Sequence, residues 1–385
     1  MFLRLLAASA FAVAVCLPAV AATAPSPPPA AAVPAPGVAA AAYLLLDFAS
    51  GAPIVAQNAD ERRDPASLTK LMTAYLVFAA LKDGRITPAQ MVTVSTTAWH
   101  AEGSRMFIEP RRAVSVDELM RGVIVQSGND ASIALAELVA GSEAAFVARM
   151  NAEAKRMGLA GTNFANATGL PQPGHYSTAR DLAVLAAAII REFPEYYPLY
   201  SLREYRYNSI TQPNRNRLLW VDPNVDGMKT GHTEGAGWCL IASAKRGERR
   251  LVSVVLGAAS DAARASESEK LLNYGFQAFD TVQLYQSGKP VQSLRVWKGA
   301  ESSVAAGFFA DQYLALPKGK AASLELTMTA TEPLVAPVVH GQRVGTVKVA
   351  LEGRTLAELP MVALADVPQA GILGRAWDTV RLWFK

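Results

Sequence analysis

The sequence predicts an α/β domain, then a small all-β domain, then a C-terminal amphipathic helix. Three observations support this order. Apolar runs of strand length lie at 42–57 and again after Val225, with helical patterns between them. Short alternating runs replace these patterns after Thr281, and residues 372–385 return to a helical period. Strands at both ends of a helical region indicate layers built around one sheet.

Composition and charge narrow the function before any motif is considered. Of the 385 residues, 51% are hydrophobic and 18% are charged, so the chain has ample apolar material for a core. Its 37 Lys and Arg against 33 Asp and Glu give a net charge of +4, too small to indicate a nucleic-acid partner. Two cysteines and four scattered histidines form no metal-ligand pattern, and no phosphate-binding glycine motif is present. We therefore expect neither a metal nor an organic cofactor.

The N-terminus has the order of a secretory signal peptide, which we place at residues 1–21. Arg4 precedes an apolar run at 5–20, and Ala19-Val20-Ala21 provides the small residues of a cleavage site. The run is shorter than the roughly 20 residues of a membrane span, although an uncleaved anchor helix remains the alternative. Residues 22–37 are mainly Ala and Pro and predict an extended linker.

Residues 38–280 carry the elements of the predicted α/β domain. Strand patterns flank polar turns, and apolar residues recur at helical spacing between them. In chain order we predict strands at 42–48 and 53–57, a helix with one apolar face from 65 to 83, a helical block at 116–160, a helix at 181–191, strands from 225 onward that include 238–244 and 251–256, and a helix at 267–279.

Residues 281–366 have the pattern of the small all-β domain. Alternating apolar runs lie at 294–297, 313–316, 324–328 and 346–351, with Gly and Lys in the turns between them. The segment holds few candidate nucleophiles, bases or ligands. We interpret it as a spacer or an interaction module, and its sequence indicates no particular protein partner.

Residues 367–385 predict an amphipathic helix that lies on a membrane surface. On a helical wheel, most apolar side chains of 372–385 share one arc, among them Trp377, Trp383 and Phe384. Three cations and one anion lie on the opposite side, which suits the surface of an anionic bilayer. A helix docked on its own protein is the alternative.

The first of three motifs that carry chemistry is Ser67-Leu68-Thr69-Lys70, at the start of a predicted helix. Residues i and i+3 share a helix face, so the Lys70 amine can reach the Ser67 hydroxyl. A serine nucleophile needs a base, and a lysine serves only when neutral, which burial and nearby positive charge favour. The positive end of the helix also favours a developing oxyanion. Alone the motif is weak, because many helices begin this way.

The other two motifs are Ser127-Gly128-Asn129 and Lys229-Thr230-Gly231. The former lies between two helical stretches and offers a hydroxyl that relays a proton and an amide that holds a peptide carbonyl. The latter ends a predicted edge strand, where a cation and a hydroxyl can bind a carboxylate and the glycine allows close approach. Each alone is an ordinary turn or strand end. All three in this order, on these elements, are specific.

Together the motifs resemble the signature of the low-molecular-weight penicillin-binding proteins of the D-alanyl-D-alanine carboxypeptidase type. The resemblance is carried by residues 63–70, 127–131 and 225–233 and extends over essentially the whole chain after the signal peptide. It implies a penicillin-binding/β-lactamase-like transpeptidase fold for 38–280. It also implies a serine-type carboxypeptidase that removes the terminal D-alanine from peptidoglycan stem pentapeptides.

The resemblance further implies a role for each motif residue. Ser67 would form the acyl-enzyme with Lys70 as base, and Ser127 would complete the proton relay with Lys229. Backbone N–H groups of Ser67 and near His232 would form the oxyanion hole. The substrate-binding residues it implies are Asn129, Lys229, Thr230, Gly231, His232, Arg215 and Arg264. We place Arg264 just before the helix at 267–279, and a plain surface role remains the alternative for both arginines.

Class A β-lactamases share this plan, but two features differ. Gly128 stands where their motif has an aspartate, and the loop at 167–175 has no glutamate to drive deacylation. We therefore expect β-lactams to remain on Ser67 as covalent inhibitors.

Two other functions stay open. A D,D-endopeptidase would use the same motifs to cut peptidoglycan cross-links, although such proteins usually lack the β domain and the terminal helix. A non-catalytic scaffold protein would need no complete set of catalytic residues, and here the set is complete. The leading hypothesis is a carboxypeptidase on the periplasmic face of the cytoplasmic membrane, held there by 372–385.

Overall fold

The computed structural model describes residues 34–383. The predicted signal peptide at 1–21 and most of the linker at 22–37 lie outside these residues. The described chain forms an α/β domain, a β-rich domain and a C-terminal helix, so the predicted fold class is confirmed.

The first domain is built on a five-stranded antiparallel sheet in the order β2-β1-β9-β8-β7. Strand β7 therefore lies at one edge, as the third motif predicts. Strands β3 with β4 and β5 with β6 form two small hairpin-like pairs outside the sheet. The strands are β1 (Ala42–Asp47), β2 (Pro53–Gln57), β3 (Met91–Val92), β4 (Val114–Ser115), β5 (Glu204–Tyr207), β6 (Ile210–Pro213), β7 (Val225–Thr233), β8 (Gly237–Arg246) and β9 (Arg249–Ala258).

Helices cover both faces of this sheet. A 3₁₀ turn, Ala66–Thr69, leads into the first helix, and a π-helical turn, Gly122–Gln126, joins the third to the fourth. The helices are α1 (Lys70–Lys82), α2 (Thr96–Trp99), α3 (Val116–Arg121), α4 (Asn129–Ala140), α5 (Glu143–Arg156), α6 (Ala179–Glu192), α7 (Leu218–Val221) and α8 (Asp261–Ala278).

Alternation along the strands divides the domain into two cores. In β1, Leu44 and Leu46 belong to a large core that they share with α1, α4 and α6, whereas Tyr43 and Leu45 belong to a smaller one with α8. Successive side chains of a strand point to opposite faces, so one strand serves both layers. The result is helices on either side of one sheet.

Helix α1 differs from its prediction because it is buried almost all round. Besides the expected Leu71 and Phe78, the residues Thr73, Val77 and Ala80 are fully buried. The sequence predicts one apolar face for this helix, whereas the structure buries nearly every side of it. The helix lies inside the domain, where every side meets protein, and this position keeps Lys70 away from water.

Two element boundaries also differ from the predictions. The helical block at 116–160 is interrupted at Ser127-Gly128 and again at Gly141-Ser142, giving three helices and a π turn. Helix α8 begins at Asp261, six residues earlier than expected, because the Ser260 hydroxyl accepts a hydrogen bond from the Ala263 N–H and caps it. The first turns of α8 are polar, so the sequence shows no helical repeat of apolar residues there.

The second domain is all-β, with a five-stranded sheet in the order β11-β12-β16-β15-β14 and a two-stranded pair of β10 with β13. Three of its strands, β10, β12 and β16, were not predicted, because small and charged residues interrupt their alternation. The strands are β10 (Phe279–Tyr285), β11 (Pro290–Arg295), β12 (Ser303–Gly307), β13 (Gln312–Pro317), β14 (Leu324–Ala330), β15 (Arg343–Leu351) and β16 (Arg354–Ala363).

The C-terminal helix α9 (Ile372–Leu382) follows the β domain. Its Asp378 accepts a hydrogen bond of 2.6 Å from the backbone N–H of Lys298, so a polar side of the helix meets the protein. Its apolar side chains are exposed, with Leu373 at 88% and Trp383 at 83%. Within residues 34–383 no single helix is long and apolar enough to cross a bilayer, although the bent α4–α5 pair qualifies by length and composition alone.

Candidate active site

Ser67 and Lys70 meet at the junction of the 3₁₀ turn and α1. The Lys70 Nζ lies 3.0 Å from the Ser67 Oγ, as the i, i+3 spacing predicts. Ser67 is half-buried and lines a cleft, whereas the Lys70 side chain is only 1% exposed. The Ser67 hydroxyl is thus open to the cleft, and its partner amine is enclosed by protein.

The surroundings of Lys70 favour a neutral amine. Burial, and then the positive charge of Arg215, lower the pKa of Lys70 to about 7. Its Nζ donates to the Asn129 Oδ1 at 2.6 Å and to the Thr168 carbonyl at 2.5 Å, both of which can only accept. A neutral amine has two N–H groups and one lone pair. With both N–H groups so engaged, the lone pair is left for the Ser67 hydroxyl.

Ser127 and Lys229 form a second hydroxyl–amine pair on the other side of the cleft. The Lys229 Nζ lies 2.9 Å from the Ser127 Oγ and donates to the Thr230 carbonyl at 2.9 Å. Burial, and then the charges of Lys70, Arg215 and Arg264, lower the pKa of Lys229. Ser127 takes a left-handed backbone conformation, φ 64°, which turns its hydroxyl from the helical path into the cleft.

The cleft between these pairs has a volume of about 360 Å³. Its described wall contains two arginines and no carboxylate; it is formed by Ser67, Gly103, Ser104, Ser127, Arg215, Thr230, Gly231, His232, Trp238 and Arg264. Such a wall suits an anionic ligand, because an entering carboxylate meets positive charge that no acidic neighbour in the wall neutralises.

Asp64 links the turn that carries Ser67 to the edge strand β7. One of its oxygens accepts from the Ala66 N–H at 2.8 Å, and the other accepts from the Thr233 hydroxyl at 2.9 Å. On the same side, a Cβ at Gly231 would lie 3.1 Å from the Pro65 carbonyl. The glycine therefore allows β7 to lie directly against the 3₁₀ turn, which brings the first and third motifs together.

Arg264 lies in the first turn of α8, not before the helix as predicted. Its guanidinium is buried and donates to the backbone carbonyls of Gly231 at 3.1 Å and Cys239 at 3.3 Å. It also pairs with Asp261. Arg264 therefore holds β7 against β8 at the cleft wall, and much of its donor capacity is already used.

Arg215 has free donor capacity. It lines the cleft but makes no hydrogen bond or ion pair with any of residues 34–383. Its backbone is fixed by buried neighbours, since Asn214 donates to the Leu202 carbonyl at 2.9 Å and Asn216 donates to the Gly227 carbonyl at 3.0 Å. A rigid turn thus presents an unpaired guanidinium to the cleft.

His232 and Trp238 form a stacked pair at the rim. Their ring centroids are 3.9 Å apart, and the Arg264 guanidinium lies 5.0 Å from the Trp238 ring. Trp238 was missed by sequence reasoning, although its position seven residues after Gly231 places it on the next strand of a tight hairpin. His232 is exposed, and its substrate-binding role stays a prediction.

Asp130 holds a loop over the site and was also missed. This buried carboxylate accepts from the N–H groups of Met106, Phe107 and Ile108 at 2.8–3.2 Å. Asp130 also explains why the middle residue of the second motif is a glycine. A Cβ at Gly128 would lie 2.8 Å from the Asp130 Oδ1, so the site has no room for a side chain there.

The loop at 167–175 supports the site from behind. It provides the Thr168 carbonyl to Lys70, and its Gly169 is so close to the nucleophile turn that a Cβ there would lie 1.9 Å from the Ala66 carbonyl. Gly169 has φ +83°, which only glycine adopts without strain. From the sequence, the only feature of this loop used above was that it contains no glutamate.

The predicted site residues come together around one cleft, with one difference in placement. Ser67, Ser127, Thr230, Gly231, His232, Arg215 and Arg264 line it, and the amines of Lys70 and Lys229 lie behind the two serines. The Asn129 amide does not line it, because its oxygen accepts from Lys70 and its nitrogen donates to the Glu102 carbonyl at 2.6 Å. Its substrate-binding role stays a prediction.

The described residues contain no group of three or more His, Cys, Asp or Glu side chains arranged to hold a metal ion. The polar side chains in or directly behind the cleft wall are hydroxyls, amines, guanidinium groups and the imidazole of His232. A serine beside a neutral lysine is an arrangement that can carry out acyl transfer.

Two family models match the chain. The model described as D-alanyl-D-alanine carboxypeptidase matches residues 29–260, and the one described as penicillin-binding protein 5, C-terminal domain, matches residues 279–369. The chain belongs to the D-alanyl-D-alanine carboxypeptidase family. The predicted resemblance is confirmed, and this membership favours a serine-type carboxypeptidase over the D,D-endopeptidase alternative.

Two bacterial members of this family match close to nine-tenths of the chain, and a third matches 63% of it. D-alanyl-D-alanine carboxypeptidase DacC of Escherichia coli is 47% identical over 90% of this chain and 89% of its own length. Penicillin binding protein 5 from Haemophilus influenzae superposes with a TM-score of 0.85 at 44% identity, over 88% of this chain and all of that one. Penicillin-binding protein D2 from Listeria monocytogenes, solved in an ampicillin-bound form, covers 63% of this chain at 32% identity and a TM-score of 0.59.

Proposed function

We propose that this carboxypeptidase removes the terminal D-alanine from peptidoglycan stem pentapeptides through an acyl-enzyme on Ser67. The observation that supports this proposal most strongly is the pair of hydroxyl–amine contacts facing one cleft, Ser67–Lys70 at 3.0 Å and Ser127–Lys229 at 2.9 Å. One pair generates the nucleophile and the other supplies a proton to the leaving amine.

Acylation follows from this arrangement. The Ser67 Oγ attacks the carbonyl carbon of the penultimate D-alanine while the Lys70 Nζ takes its proton. Backbone N–H groups of the nucleophile turn and of β7 stabilise the oxyanion. When the C–N bond breaks, the Ser127 hydroxyl gives its proton to the departing amine. The proton that Lys70 took from Ser67 then passes to the Ser127–Lys229 pair to replace it, which leaves Lys70 neutral again. The terminal D-alanine leaves, and an ester on Ser67 remains.

Carboxylate recognition selects the end of the peptide. The free C-terminal carboxylate of the substrate accepts hydrogen bonds from Thr230 and from the unpaired Arg215, with Lys229 and Arg264 adding positive charge. Gly231 permits the substrate backbone to lie along β7. A peptide whose C-terminus is an amide lacks this carboxylate, so we expect it to be a poorer substrate than the free acid.

Deacylation returns the enzyme to its starting state. Water attacks the Ser67 ester while neutral Lys70 accepts the water proton. Lys70 then returns this proton to the departing Ser67 Oγ, and the shortened peptide leaves. β-Lactams acylate the same serine, in line with the ampicillin-bound and cefotaxime-bound forms of the Listeria relative. No carboxylate among residues 34–383 lines the cleft. The penicilloyl ester therefore has no carboxylate to act as general base for its hydrolysis, and we expect it to persist.

The enzyme works on the periplasmic side of the cytoplasmic membrane in this proposal. A cleaved signal peptide at 1–21 exports it, and a linker at 22–37 precedes a catalytic domain at 38–280. An all-β domain at 281–366 then separates that domain from an anchoring helix at 367–385. Support comes from the apolar face of α9, which is exposed while Asp378 faces the protein.

The proposal is tested with a synthetic pentapeptide ending in D-Ala-D-Ala, a cross-linked muropeptide dimer, and the Ser67→Ala variant. Mass spectrometry should detect loss of one D-alanine from the pentapeptide, faster than dimer cleavage, and the variant should lose this activity by at least about 10³-fold. Faster cleavage of the dimer would instead support the endopeptidase. No release from either, with no penicillin adduct, would contradict enzymatic function.

A further inference from the structure

His175 is a buried histidine at the end of the loop behind the active site, and no step of the proposed mechanism uses it. Its side chain has two hydrogen-bond partners. The Ala165 backbone N–H donates to its Nδ1 at 2.9 Å, and its Nε2 lies 2.8 Å from the Thr69 Oγ1. The residue is 7% exposed and Thr69 is fully buried, so water does not compete for either contact.

These contacts fix the tautomer. A backbone N–H can only donate, so the Nδ1 must present a lone pair and the ring proton must lie on Nε2. The Nε2–H then donates to the Thr69 oxygen. The Thr69 hydroxyl in turn donates to the Ala66 carbonyl at 2.8 Å. Every donor and acceptor in this buried series has its complement.

The series ends at the residue before the nucleophile. Ala66 has a left-handed backbone conformation, φ +46°, which a non-glycine residue adopts only when its surroundings enforce it. The Ala66 carbonyl is held by Thr69 and also lies against Gly169. The strained turn that presents Ser67 is therefore held partly through the imidazole.

The charge state of the ring is consistent with this geometry. Burial, opposed by the carboxylate of Asp64 and assisted by Lys70, lowers the pKa of His175 to about 4. The ring is thus neutral at physiological pH. The single-tautomer arrangement is then available at physiological pH.

We propose that His175 is a positioning residue for acylation, holding the Ser67 turn in its reactive geometry through Thr69 and the Ala66 carbonyl. The proposal rests on Ser67 being the nucleophile of the proposed function. An imidazole suits this place because it accepts at one edge and donates at the other while remaining rigid. A glutamine amide has the same accepting and donating ends, so it is the conservative replacement.

The test measures the second-order rate constant for Ser67 acylation by a fluorescent penicillin in three variants, together with each melting temperature. His175→Ala should slow acylation about 10- to 100-fold, the cost of leaving a buried polar group without its partner, and His175→Gln should recover most of that rate. Asn151→Ala is the matched control. Asn151 fixes the neighbouring backbone through the Phe164 N–H at 2.8 Å and the Phe164 carbonyl at 2.8 Å, without contacting Thr69.

A purely structural role predicts a different result. If His175 only stabilised the loop, His175→Ala and Asn151→Ala variants of equal melting temperature would be acylated equally fast, and that outcome overturns the proposal. A double-mutant cycle with Thr69→Val gives a second readout. The two losses should be strongly non-additive, whereas additive losses would show that the Nε2–Thr69 contact does not matter.

The tautomer is checked without turnover. In ¹⁵N-labelled full-length protein, His175 should show a protonated Nε2 and an unprotonated, hydrogen-bonded Nδ1 at pH 7. The opposite tautomer would overturn the proposal. Absence of Ser67 acylation in the unchanged protein would instead contradict the proposed function and the positioning role together, so the two failures are distinguishable.

Discussion

At the residue scale, the site depends on keeping one buried lysine neutral beside a serine. Burial and the positive charge of Arg215 lower the pKa of Lys70. Two obligate acceptors, one from the second motif and one the Thr168 carbonyl, fix the direction of its N–H groups. The Ser67–Lys70 contact follows from helix spacing, so sequence was enough to predict it. The Thr168 contact joins residues 98 positions apart, and only the tertiary fold brings them together.

Arg215 should determine selectivity for a free C-terminal carboxylate. Arg215→Gln removes the one guanidinium of the described cleft wall that lacks a protein partner. We expect kcat/KM to fall about 10- to 100-fold for a peptide ending in D-Ala-D-Ala, because a charge-assisted hydrogen bond contributes about 1.5–3 kcal/mol. The loss should be small for the matching peptide amide, and steady-state kinetics on both substrates measures the difference.

Arg217→Gln is the control for this experiment. Arg217 is two residues away and exposed, pairs with Asp261 at 2.9 Å, and does not line the cleft. Its replacement should leave the acid-to-amide ratio unchanged. An equal loss on both substrates in Arg215→Gln would show that the arginine acts on the fold and not on the carboxylate.

At the element scale, the site is assembled where elements end. The 3₁₀ turn precedes α1, the π turn leads to Ser127, and β7 runs along the sheet edge. Close backbone approaches at Gly128, Gly169 and Gly231 allow these ends to meet. The contacts of Gly169 and Gly231 join segments far apart in sequence, and that of Gly128 depends on the loop that Asp130 holds in place. The sequence shows these glycines but not the contacts that require them.

Gly128 should not tolerate a side chain. Gly128→Ala places a Cβ 2.8 Å from the Asp130 Oδ1 and 3.3 Å from the Met106 N–H, which forces apart the loop that Asp130 holds. We expect a loss of about 1–3 kcal/mol in the free energy of unfolding, typical of overpacking, together with slower acylation. Urea denaturation and penicillin labelling measure the two effects.

The contrast with Gly141→Ala makes this prediction specific. Gly141 ends α4 with φ +84°, and no atom lies within 4 Å of a Cβ built there. Its replacement should destabilise through backbone strain alone and leave the acylation rate unchanged. Normal acylation and stability in Gly128→Ala would contradict the steric explanation for glycine in the second motif.

The elements themselves were predicted unevenly, for physical reasons. Long segments with clear periods, such as α6 and the pair β8 and β9, were found near their true positions. The short hairpin β5–β6 was missed because its strands are half-exposed and charged, as in Glu204–Tyr207. Yet this hairpin leads directly into the turn that presents Arg215.

At the scale of the whole molecule, the site and the β domain lie at opposite ends of the same strands. Trp238 pairs with Ala258 at the site end of β8 and β9, and Arg246 pairs with Arg249 at the other end. Ten-residue strands separate these ends by about 30 Å. Arg249 binds the Thr281 hydroxyl at 2.7 Å, so the β domain joins at the far end.

The proposed binding of α9 to a membrane surface can be tested directly. The protein lacking 372–385, and a variant with Trp377→Ser and Trp383→Ser, should lose binding to vesicles containing phosphatidylglycerol. We expect at least about tenfold weaker partitioning per tryptophan, from the apolar surface left in water. Vesicle co-sedimentation measures binding, and hydrolysis of soluble pentapeptide should be unchanged.

The controls for vesicle binding separate anchoring from folding. Trp220→Ser changes an exposed tryptophan of the catalytic domain and should not alter partitioning. Retained binding after removal of 372–385 would place the membrane contact elsewhere. Lost hydrolysis would show that α9 supports the fold.

The most direct measurement of the central claim, that a neutral Lys70 activates Ser67, is the pH dependence of acylation by a penicillin. The lowered pKa predicts a rate constant that rises through a midpoint near 7 and falls about tenfold per pH unit below it, because protonated Lys70 cannot accept the serine proton. Lys70→Ala should lower the rate constant at high pH by about 10²- to 10⁴-fold and should abolish its fall below pH 7. A midpoint near pH 10, or the same fall below pH 7 in Lys70→Ala, would contradict the claim that neutral Lys70 activates Ser67.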